Sequence, residues 1–236
     1  MSTIVDFWRN VTFSSEENVI LEDKEAMADL GERFTLQGMP EPFIGNVENA
    51  KIYLLSLNPG AIGKEELDSK ELQELTKKNL LQENTKCQFF YLANEIKTMD
   101  GAKWWRKRLV EPLTDATKKS EKEVIKAIND NICNLEIIPY HSKDSKNFGN
   151  SVYTLYSAKA MRSFVKNYVC KRDDNPLIIV MRAKKEWMPC FDDYILEGKS
   201  NLYFRKTGRT YTMNSYIEGS DSDKKVLDLI AEKLFE

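Results

Sequence analysis

One apolar run constrains the fold of this chain more than any other stretch. Residues 51–57, Lys-Ile-Tyr-Leu-Leu-Ser-Leu, are almost entirely apolar, with turn-forming residues before them at 45–46 and after them at 58–60. A short run that is apolar on both faces and bounded by turns is typical of a central strand in a parallel sheet. Pro59 cannot continue a strand ladder, and Gly60 permits a close backbone approach or a positive φ. The run therefore predicts a buried central strand that ends in a sharp turn.

The remaining elements follow from the same patterns. Two further apolar runs, residues 132–139 and 176–182, predict two more buried strands. Segments with helical spacing lie between and after the strands, at residues 64–82, 87–98, 120–130, 151–169 and 221–235. Residues 201–204 and 210–213 flank Gly208, which favours an edge hairpin. Because three apolar strands separated by helices imply right-handed crossovers, we expect a three-layer α/β/α fold with a central, mostly parallel sheet.

Two helix boundaries can be predicted from particular residues. Ser120 and, three residues later, Glu123 form a capping box, which marks the start of a helix. Near the N-terminus, Met27, Leu30 and Phe34 have helical spacing and predict a helix over residues 22–34.

Chain length bounds the number of domains. The 236 residues suffice for one large α/β domain, and 42% hydrophobic residues allow that domain to bury a sizeable core. The sequence has no internal repeat, low-complexity tract or linker. We therefore predict a single domain over residues 1–236, with an N-terminal helical arm at 1–40 and the α/β/α core at 41–236.

Charge and cysteine content narrow the classes of function. The formal net charge is −2, so no overall basic field attracts nucleic acid and any such contact needs a local patch. The cysteines at positions 87, 133, 170 and 190 form no C-x-x-C pair, which argues against a zinc or iron–sulfur site and fits reduced thiols. The N-terminus does not resemble a signal peptide, and no stretch approaches a membrane span. We expect a cytoplasmic protein that has no metal and does not contact membranes.

Polar residues follow all three predicted strands. Asn58 follows the first strand, Tyr140-His141-Ser142 the second, and a basic run that includes Arg182, Lys184 and Lys185 the third. Since the carboxyl ends of parallel strands meet at one edge of a sheet, we expect a single cleft with hydroxyls, an imidazole and several cations. Strand ends are polar in every α/β protein, and Asn-Pro-Gly is also an ordinary tight turn, so a purely structural interpretation stays open.

The stretch 42–60, PFIGNVENAKIYLLSLNPG, resembles the first motif of the uracil-DNA glycosylase superfamily, in which a strand ends in a loop of the type G-I/M-N-P-G. Residues 56–60, Ser-Leu-Asn-Pro-Gly, match this loop at Asn, Pro and Gly, and Ser56 replaces its usual glycine. The order of elements over roughly residues 40–215 also fits the three-layer fold of that family. Only the first motif is specific.

The resemblance implies a DNA glycosylase-like function. Asn58 would orient the water that attacks the sugar carbon, since an amide is too weak a base to deprotonate it. Phe89 or Phe90 would stack on the flipped base, with core packing as the alternative for this pair. The implied partner is DNA, single-stranded or with its base flipped out. The chemistry needs no metal or organic cofactor.

The sequence departs from the family at the base-reading position. That residue is usually an asparagine shortly before a proline on the second strand. Here Asn134 and Glu136 share one face of the strand, so both are candidates to contact the base, and the distance to Pro139 puts Glu136 in the reading position. A carboxylate accepts hydrogen bonds but cannot donate one to a uracil carbonyl. It would suit guanine N1 and N2 or the cytosine amino group, so a base other than uracil is expected.

A second departure concerns the family's late histidine, which stabilises the leaving base. Residues 204–210, FRKTGRT, follow the third strand and contain no histidine. Arg205 and Arg209 could do similar electrostatic work there, or contact phosphate together with Arg182, Lys184 and Lys185. His141, the single histidine, lies at the end of the second strand, so it is a candidate catalytic residue of the cleft without being the family's late histidine.

Three interpretations remain open at this point. The chain is a glycosylase, or a catalytically inactive relative that binds nucleic acid, a nucleotide or a protein, or an unrelated α/β hydrolase that shares only the turn. Basic side chains cluster towards the C-terminal half with Trp187 and Tyr203 among them, which suits single-stranded nucleic acid but also fits a solvated surface, because acidic residues interrupt the patch. The sequence does not fix the oligomeric state.

Overall fold

The fold is organised around a central sheet. The computed structural model describes residues 3–28, 30, 33–83, 86–143, 148, 151–206, 211–219 and 223–235. Its strands are Phe34–Thr35 (β1), Phe43–Gly45 (β2), Ile52–Ser56 (β3), Ile132–Glu136 (β4), His141–Ser142 (β5), Leu177–Val180 (β6) and Leu202–Phe204 (β7). Within these residues, five strands form one sheet in the order β2-β4-β3-β6-β7, and β1 pairs with β5 separately. The prediction of a mostly parallel central sheet in an α/β chain is confirmed, since β4, β3, β6 and β7 are parallel and β2 is antiparallel to β4.

Strand β3 lies at the centre of the sheet, as its apolar run predicts. All five of its residues are buried. Ile52 pairs with Ile132 of β4 on one side and with Leu177 of β6 on the other, both in parallel register. Its carboxyl end is therefore flanked by the carboxyl ends of two neighbouring strands.

The predicted edge hairpin is wrong. Residues 202–204 form β7, which pairs with β6 in parallel, so that Val180 lies opposite Phe204. A parallel partner requires a crossover, and the short helices between β6 and β7 supply it. Residues 211–213 are not in a strand, and residues 207–210, including Gly208, lie outside the described residues.

Helices cover both faces of the sheet. The α-helices are Ile4–Asn10 (α1), Leu21–Ala28 (α2), Lys64–Leu67 (α3), Lys70–Leu80 (α4), Asp100–Trp105 (α5), Glu111–Thr117 (α6), Glu121–Asn131 (α7), Tyr156–Asn167 (α8), Lys184–Trp187 (α9), Asp192–Leu196 (α10) and Val226–Phe235 (α11). Along β3, Tyr53 and Leu55 pack into one apolar cluster with α1, α2 and α8–α10, while Ile52 and Leu54 pack into another with α5–α7 and α11. This alternation follows from the two-residue period of a strand.

Several helix boundaries differ from the predictions for local reasons. The segment 64–82 divides into α3 and α4 because the Ser69 hydroxyl accepts from the Leu72 amide and caps a new helix. Residues 87–98 contain 3-10 turns at Phe90–Leu92 and Asn94–Ile96 instead of a helix. The capping box of Ser120 and Glu123 is confirmed at the start of α7.

The first forty residues contribute to the core. Ile4, Trp8 and Met27 are buried in the same apolar cluster as β3. The predicted helix over residues 22–34 ends at Ala28, and Phe34 begins β1.

A buried carboxylate joins this N-terminal segment to α8. Asp23 is fully buried and accepts hydrogen bonds from the Tyr140 hydroxyl, from the backbone amides of Tyr156 and Ser157, and from the Ser157 hydroxyl. It thereby satisfies the first amides of α8 from a distant part of the chain, where the helix's own sequence has no side-chain cap.

Two amide side chains complete the hydrogen bonding of β2: Asn79 on α4 and Gln82 just after it. Asn79 Nδ2 donates to the Phe43 carbonyl over 2.7 Å, and its Oδ1 accepts from the Gly45 amide. Gln82 Nε2 donates to the Gly45 carbonyl. These bonds lie on the side of β2 that faces away from β4.

None of the helices in the described part of the chain combines the length and the apolar run needed to cross a lipid bilayer.

Candidate functional site

A cavity of about 370 Å³ opens at the carboxyl ends of β3, β4 and β6. The turn after β3 forms one side of it, the end of β4 lies beneath, and Arg182 stands just beyond β6. Of the residues singled out from the sequence, Asn58, Glu136, His141 and Arg182 line this cavity. Cavities of this size at strand ends are the usual ligand sites of α/β proteins.

The Asn58 side chain is held by its amide nitrogen. Asn58 Nδ2 donates to the Ser142 hydroxyl over 2.7 Å and to the Pro59 carbonyl. Among the described residues no donor reaches Oδ1, which is therefore the free acceptor of this side chain. Ser142 is itself fixed, because β5 pairs with β1.

Glu136 lies at the end of β4 with one oxygen fixed and one free. The Ser56 hydroxyl donates to Asn134 Oδ1 over 2.9 Å, and Asn134 Nδ2 donates to Glu136 Oε1 over 2.7 Å. Glu136 Oε2 is buried and has no hydrogen-bond partner in the described part of the chain. Asn134 is fully buried and does not line the cavity, so the prediction that it contacts a base is corrected: it orients Glu136.

Burial controls the charge of Glu136. Loss of solvent raises its pKa most strongly, and the Glu41 carboxylate adds to the rise, while the Asn134 hydrogen bond and Arg182 oppose it. The resulting pKa is about 8, so the acid is largely neutral at pH 7. A neutral carboxylic acid can donate a hydrogen bond. Below that pH Glu136 can therefore donate to a uracil carbonyl, and its chemistry no longer excludes uracil.

His141 and Glu41 form a buried pair in the cavity wall. His141 Nδ1 lies 3.1 Å from the Gly60 carbonyl, and Nε2 lies 3.5 Å from Glu41 Oε1. The Tyr91 hydroxyl donates to the same Glu41 oxygen over 2.8 Å. Burial on its own lowers the pKa of His141, but the Glu41 carboxylate and the hydrogen bond to the Gly60 carbonyl outweigh it and raise the pKa above its ordinary value. The contact with Glu41 is an ion pair and not a hydrogen bond of good geometry, because Nε2 has no hydrogen-bond partner in the described part of the chain.

Phe89 and Phe90 do not lie where base stacking requires. Both are fully buried in the apolar core and neither lines the cavity. Phe89 packs edge-on against Trp105, with ring centroids 5.0 Å apart. The stacking role predicted for this pair is therefore wrong, and the alternative of core packing describes it.

Other aromatic residues line the cavity: Tyr91, Trp104, Trp105 and Tyr211. Trp104 is 38% exposed, and its ring centroid lies 5.1 Å from that of Tyr211. Tyr91 follows Phe90 in a 3-10 turn, where residues do not share a helical face. The Trp104-Trp105 pair was visible in the sequence, but its apolar character fits a core as well as a wall.

A wide helical turn follows the two tryptophans. Residues Arg106–Val110 form a π turn, in which the Glu111 amide donates to the Arg106 carbonyl five residues earlier. Pro112 comes directly after and cannot donate to the Arg108 carbonyl four residues earlier, so the α-helical pattern cannot be completed here. Such turns occur often at functional sites.

Gly101 allows α5 to approach the cavity. A Cβ atom at this position would lie 2.5 Å from Tyr91 Cε1, well inside contact distance. The Gly101 amide donates to Glu66 Oε1 over 2.8 Å, which fixes the start of the helix. Gly60, by contrast, has no atom within 4 Å of where its Cβ would lie, and among the described glycines it is not one with a positive φ.

The basic residues predicted to hold phosphate have separate roles. Arg182 lines the cavity, with its guanidinium 5.8 Å from the centroid of the Tyr211 ring and no carboxylate of the described residues within ion-pair distance. Arg205 is buried and donates to the Met181 carbonyl and the Ser215 hydroxyl, so its predicted phosphate role is corrected. Lys184 is exposed outside the cavity lining and pairs with Glu218 at the surface, where ion pairs are weak, so its phosphate role stays a prediction. Lys185 is exposed outside the cavity lining.

Arg209, the fifth residue predicted to hold phosphate, lies outside the described residues. No group of three or more histidine, cysteine, aspartate or glutamate side chains in the described residues is arranged to hold a metal ion. No family model, curated protein or solved structure matches this chain. Its function must therefore be inferred from the chemistry of the cavity.

Proposed function

We propose that this chain binds a nucleobase of DNA in the cavity and hydrolyses the N-glycosidic bond that joins the base to its sugar. The observation that carries the proposal is the position of Asn58 and Glu136 in one cavity that has aromatic walls. A nucleobase is flat and apolar on its faces and polar at its edge, so it needs such walls together with a polar group at the end.

Asn58 is the residue proposed to position water. Both hydrogens of its amide nitrogen are committed to Ser142 and Pro59, which leaves Oδ1 to accept a hydrogen bond from a water molecule. The amide does not remove a proton but holds the water against the sugar carbon as the bond to the base breaks. The electrons of that bond leave with the base, and Arg182, which has no carboxylate of the described residues within ion-pair distance, can offset the resulting negative charge. The proton that the attacking water gives up passes to the departing base anion or to solvent.

A glycosylase assay tests this proposal. Single- and double-stranded oligonucleotides, each with one uracil, hypoxanthine, xanthine or an oxidised or alkylated base, are incubated with the protein, and abasic sites are measured. Asn58→Ala is expected to lower the rate by about 100-fold or more, because it removes the group that positions water. Asn10→Ala, at an exposed position on α1, is the matched control and should retain the wild-type rate.

One observation favours a second candidate function, that of an inactive relative that binds nucleic acid, a nucleotide or a protein. Arg205 is buried and bonded within the chain, so the basic surface expected for DNA is reduced. This candidate predicts binding of oligonucleotides or nucleotides without cleavage, and an Asn58→Ala variant that binds as well as the wild type. Cleavage that disappears with Asn58→Ala would exclude it.

A further inference from the structure

Two buried oxygen atoms at the cavity have no hydrogen-bond partner among the described residues: Glu136 Oε2 and the hydroxyl of Tyr211. Both residues line the cavity, and Glu136 is only 5% exposed. Buried polar groups are almost always satisfied, so these two oxygens mark where a water molecule or a ligand in the cavity would complete the hydrogen bonding.

The hydrogen bonds around Glu136 decide which of its oxygens carries the proton. Asn134 Nδ2 donates to Oε1, and the Ser56 hydroxyl donates to the other end of the same amide. Because Oε1 is already an acceptor, the proton of the neutral acid belongs on Oε2, the oxygen without a partner.

The charged and titratable groups around Glu136 favour this neutral form. Glu41 disfavours a second negative charge, while Arg182 favours it from beyond ion-pair distance. Burial raises the pKa of Tyr211 most strongly and Glu136 adds to the rise, so its hydroxyl stays protonated. The Ser56 hydroxyl lies near enough to oppose the rise, together with Arg205 and Arg182, but it does not meet hydrogen-bond geometry with the Tyr211 hydroxyl. His141 lines the same cavity, but its Nε2 faces Glu41.

We propose that Glu136, as the neutral acid, and Tyr211 form a pair of hydrogen-bond donors that selects bases with a carbonyl oxygen at the bound edge over bases with an amino group there. The inference rests on the proposed nucleobase site and names its ligand class, which includes uracil and hypoxanthine. An amino group in the same place would meet two donors, and one of them would have to lose its proton or turn away to accept.

The proposal is tested by calorimetric titration of the full chain with free bases. Hypoxanthine and adenine form one matched pair, and uracil and cytosine another, since each pair differs by a carbonyl or an amino group at one ring position. The titrations are run from pH 6 to pH 9 with the wild type, Glu136→Gln, Tyr211→Phe and Glu25→Gln. Glu25 is exposed on α2 and serves as the matched control.

We expect the wild type to prefer the carbonyl base by roughly tenfold at pH 6 to 7, the value of one satisfied buried donor. The preference should fade as the pH rises through about 8, where Glu136 ionises and can only accept. In Glu136→Gln the amide nitrogen donates at every pH, so the preference should persist at pH 9. Tyr211→Phe should weaken hypoxanthine binding without moving the pH midpoint, and Glu25→Gln should match the wild type.

Two outcomes overturn the inference while leaving the nucleobase site in place: a preference for the amino base, or a carbonyl preference with the same pH dependence in the wild type and Glu136→Gln. A third outcome, no binding of any base between pH 6 and pH 9, overturns the proposed nucleobase site and the inference with it.

Discussion

His141 and Glu41 face each other over 3.5 Å in the cavity wall, and both side chains are almost completely buried. Their elements are far apart in sequence, and the pair joins the loop before β2 to the short strand β5. The imidazole is held on its other side by the Gly60 carbonyl, so its ring orientation is fixed. A charged imidazole here stabilises the loop that contains Asn58.

This pair predicts a pH-dependent stability. The pKa of His141 is higher in the folded protein than the unfolded value of 6.5, so its stabilisation is fully present below pH 6.5 and is lost as pH rises through the folded pKa. We expect the stability difference between the wild type and His141→Gln to shrink from pH 6 to pH 9. Urea unfolding across this range measures it, and effects of other titrating groups cancel in the difference. A constant difference would contradict the ion pair.

The raised pKa of Glu136 also predicts that stability falls as the pH rises, but for a different reason. Its folded pKa of about 8 exceeds the unfolded value, so the folded state binds more protons and stability falls as pH rises from about 4.5 to 8. Glu136→Gln has no charge to lose and should be more stable than the wild type at pH 8, by an amount on the order of 3–5 kcal/mol, with little difference at pH 4.5. Chemical denaturation at the two pH values tests this. An equal effect at both would show that Glu136 does not titrate in this range.

Truncating a core aromatic residue should mainly lower stability, whereas truncating an aromatic residue of the cavity should mainly weaken base binding. Phe90→Ala removes a fully buried ring and should cost about 3–5 kcal/mol of unfolding free energy. Trp104→Ala affects a side chain that is partly exposed at the cavity, so it should cost much less stability but weaken base binding by about tenfold. Unfolding and base titration on both variants separate the roles. Wild-type base binding by Trp104→Ala would show that the Trp104 ring does not contact the base.

Replacing Asp23, which lies far from the cavity, should cause a large loss of stability. Asp23→Ala leaves the Tyr140 hydroxyl and the first amides of α8 without their acceptor, which should cost about 2–4 kcal/mol. Ser157→Ala removes only one of these hydrogen bonds and should cost about 1 kcal/mol. Glu22→Ala, at an exposed neighbouring position, should be nearly neutral in the same urea titrations. Equal effects of the three changes would show that Asp23 does not cap α8.

Alanine substitutions at the two glycines beside the cavity should have very different effects on stability. Gly101→Ala places a methyl group 2.5 Å from the Tyr91 ring, so the ring or α5 must move, at a cost of about 1–3 kcal/mol. Gly60→Ala meets no atom within 4 Å and should leave stability nearly unchanged. Thermal unfolding of both variants measures this difference. An equal shift in Tm would show that contact with the Tyr91 ring is not what destabilises Gly101→Ala.

The sequence predicts the strands and helix starts of this fold better than the residues that line its cavity. The central strand and the Ser120 cap are local patterns of apolar and capping residues, so they are visible without the fold. Phe90 and Tyr91 are adjacent aromatic residues, and only the 3-10 turn decides which of them lines the cavity.

Side-chain chemistry was harder to predict than position. The charge of Glu136 depends on burial, which a sequence does not show, so the sequence alone predicts a hydrogen-bond acceptor at this position. Arg205 is a cation on any account, but its partners come from distant residues and its burial leaves it unavailable for phosphate.

The amide side chains of Asn79 and Gln82 have a consequence beyond the site. An open strand edge is a template on which a strand from another molecule can assemble, and this is a common route to aggregation. At β2 these amides already occupy the Phe43 carbonyl and both the amide and the carbonyl of Gly45. Two side chains thus take up groups to which a strand from another molecule would otherwise bond, which hinders growth of the sheet on this side.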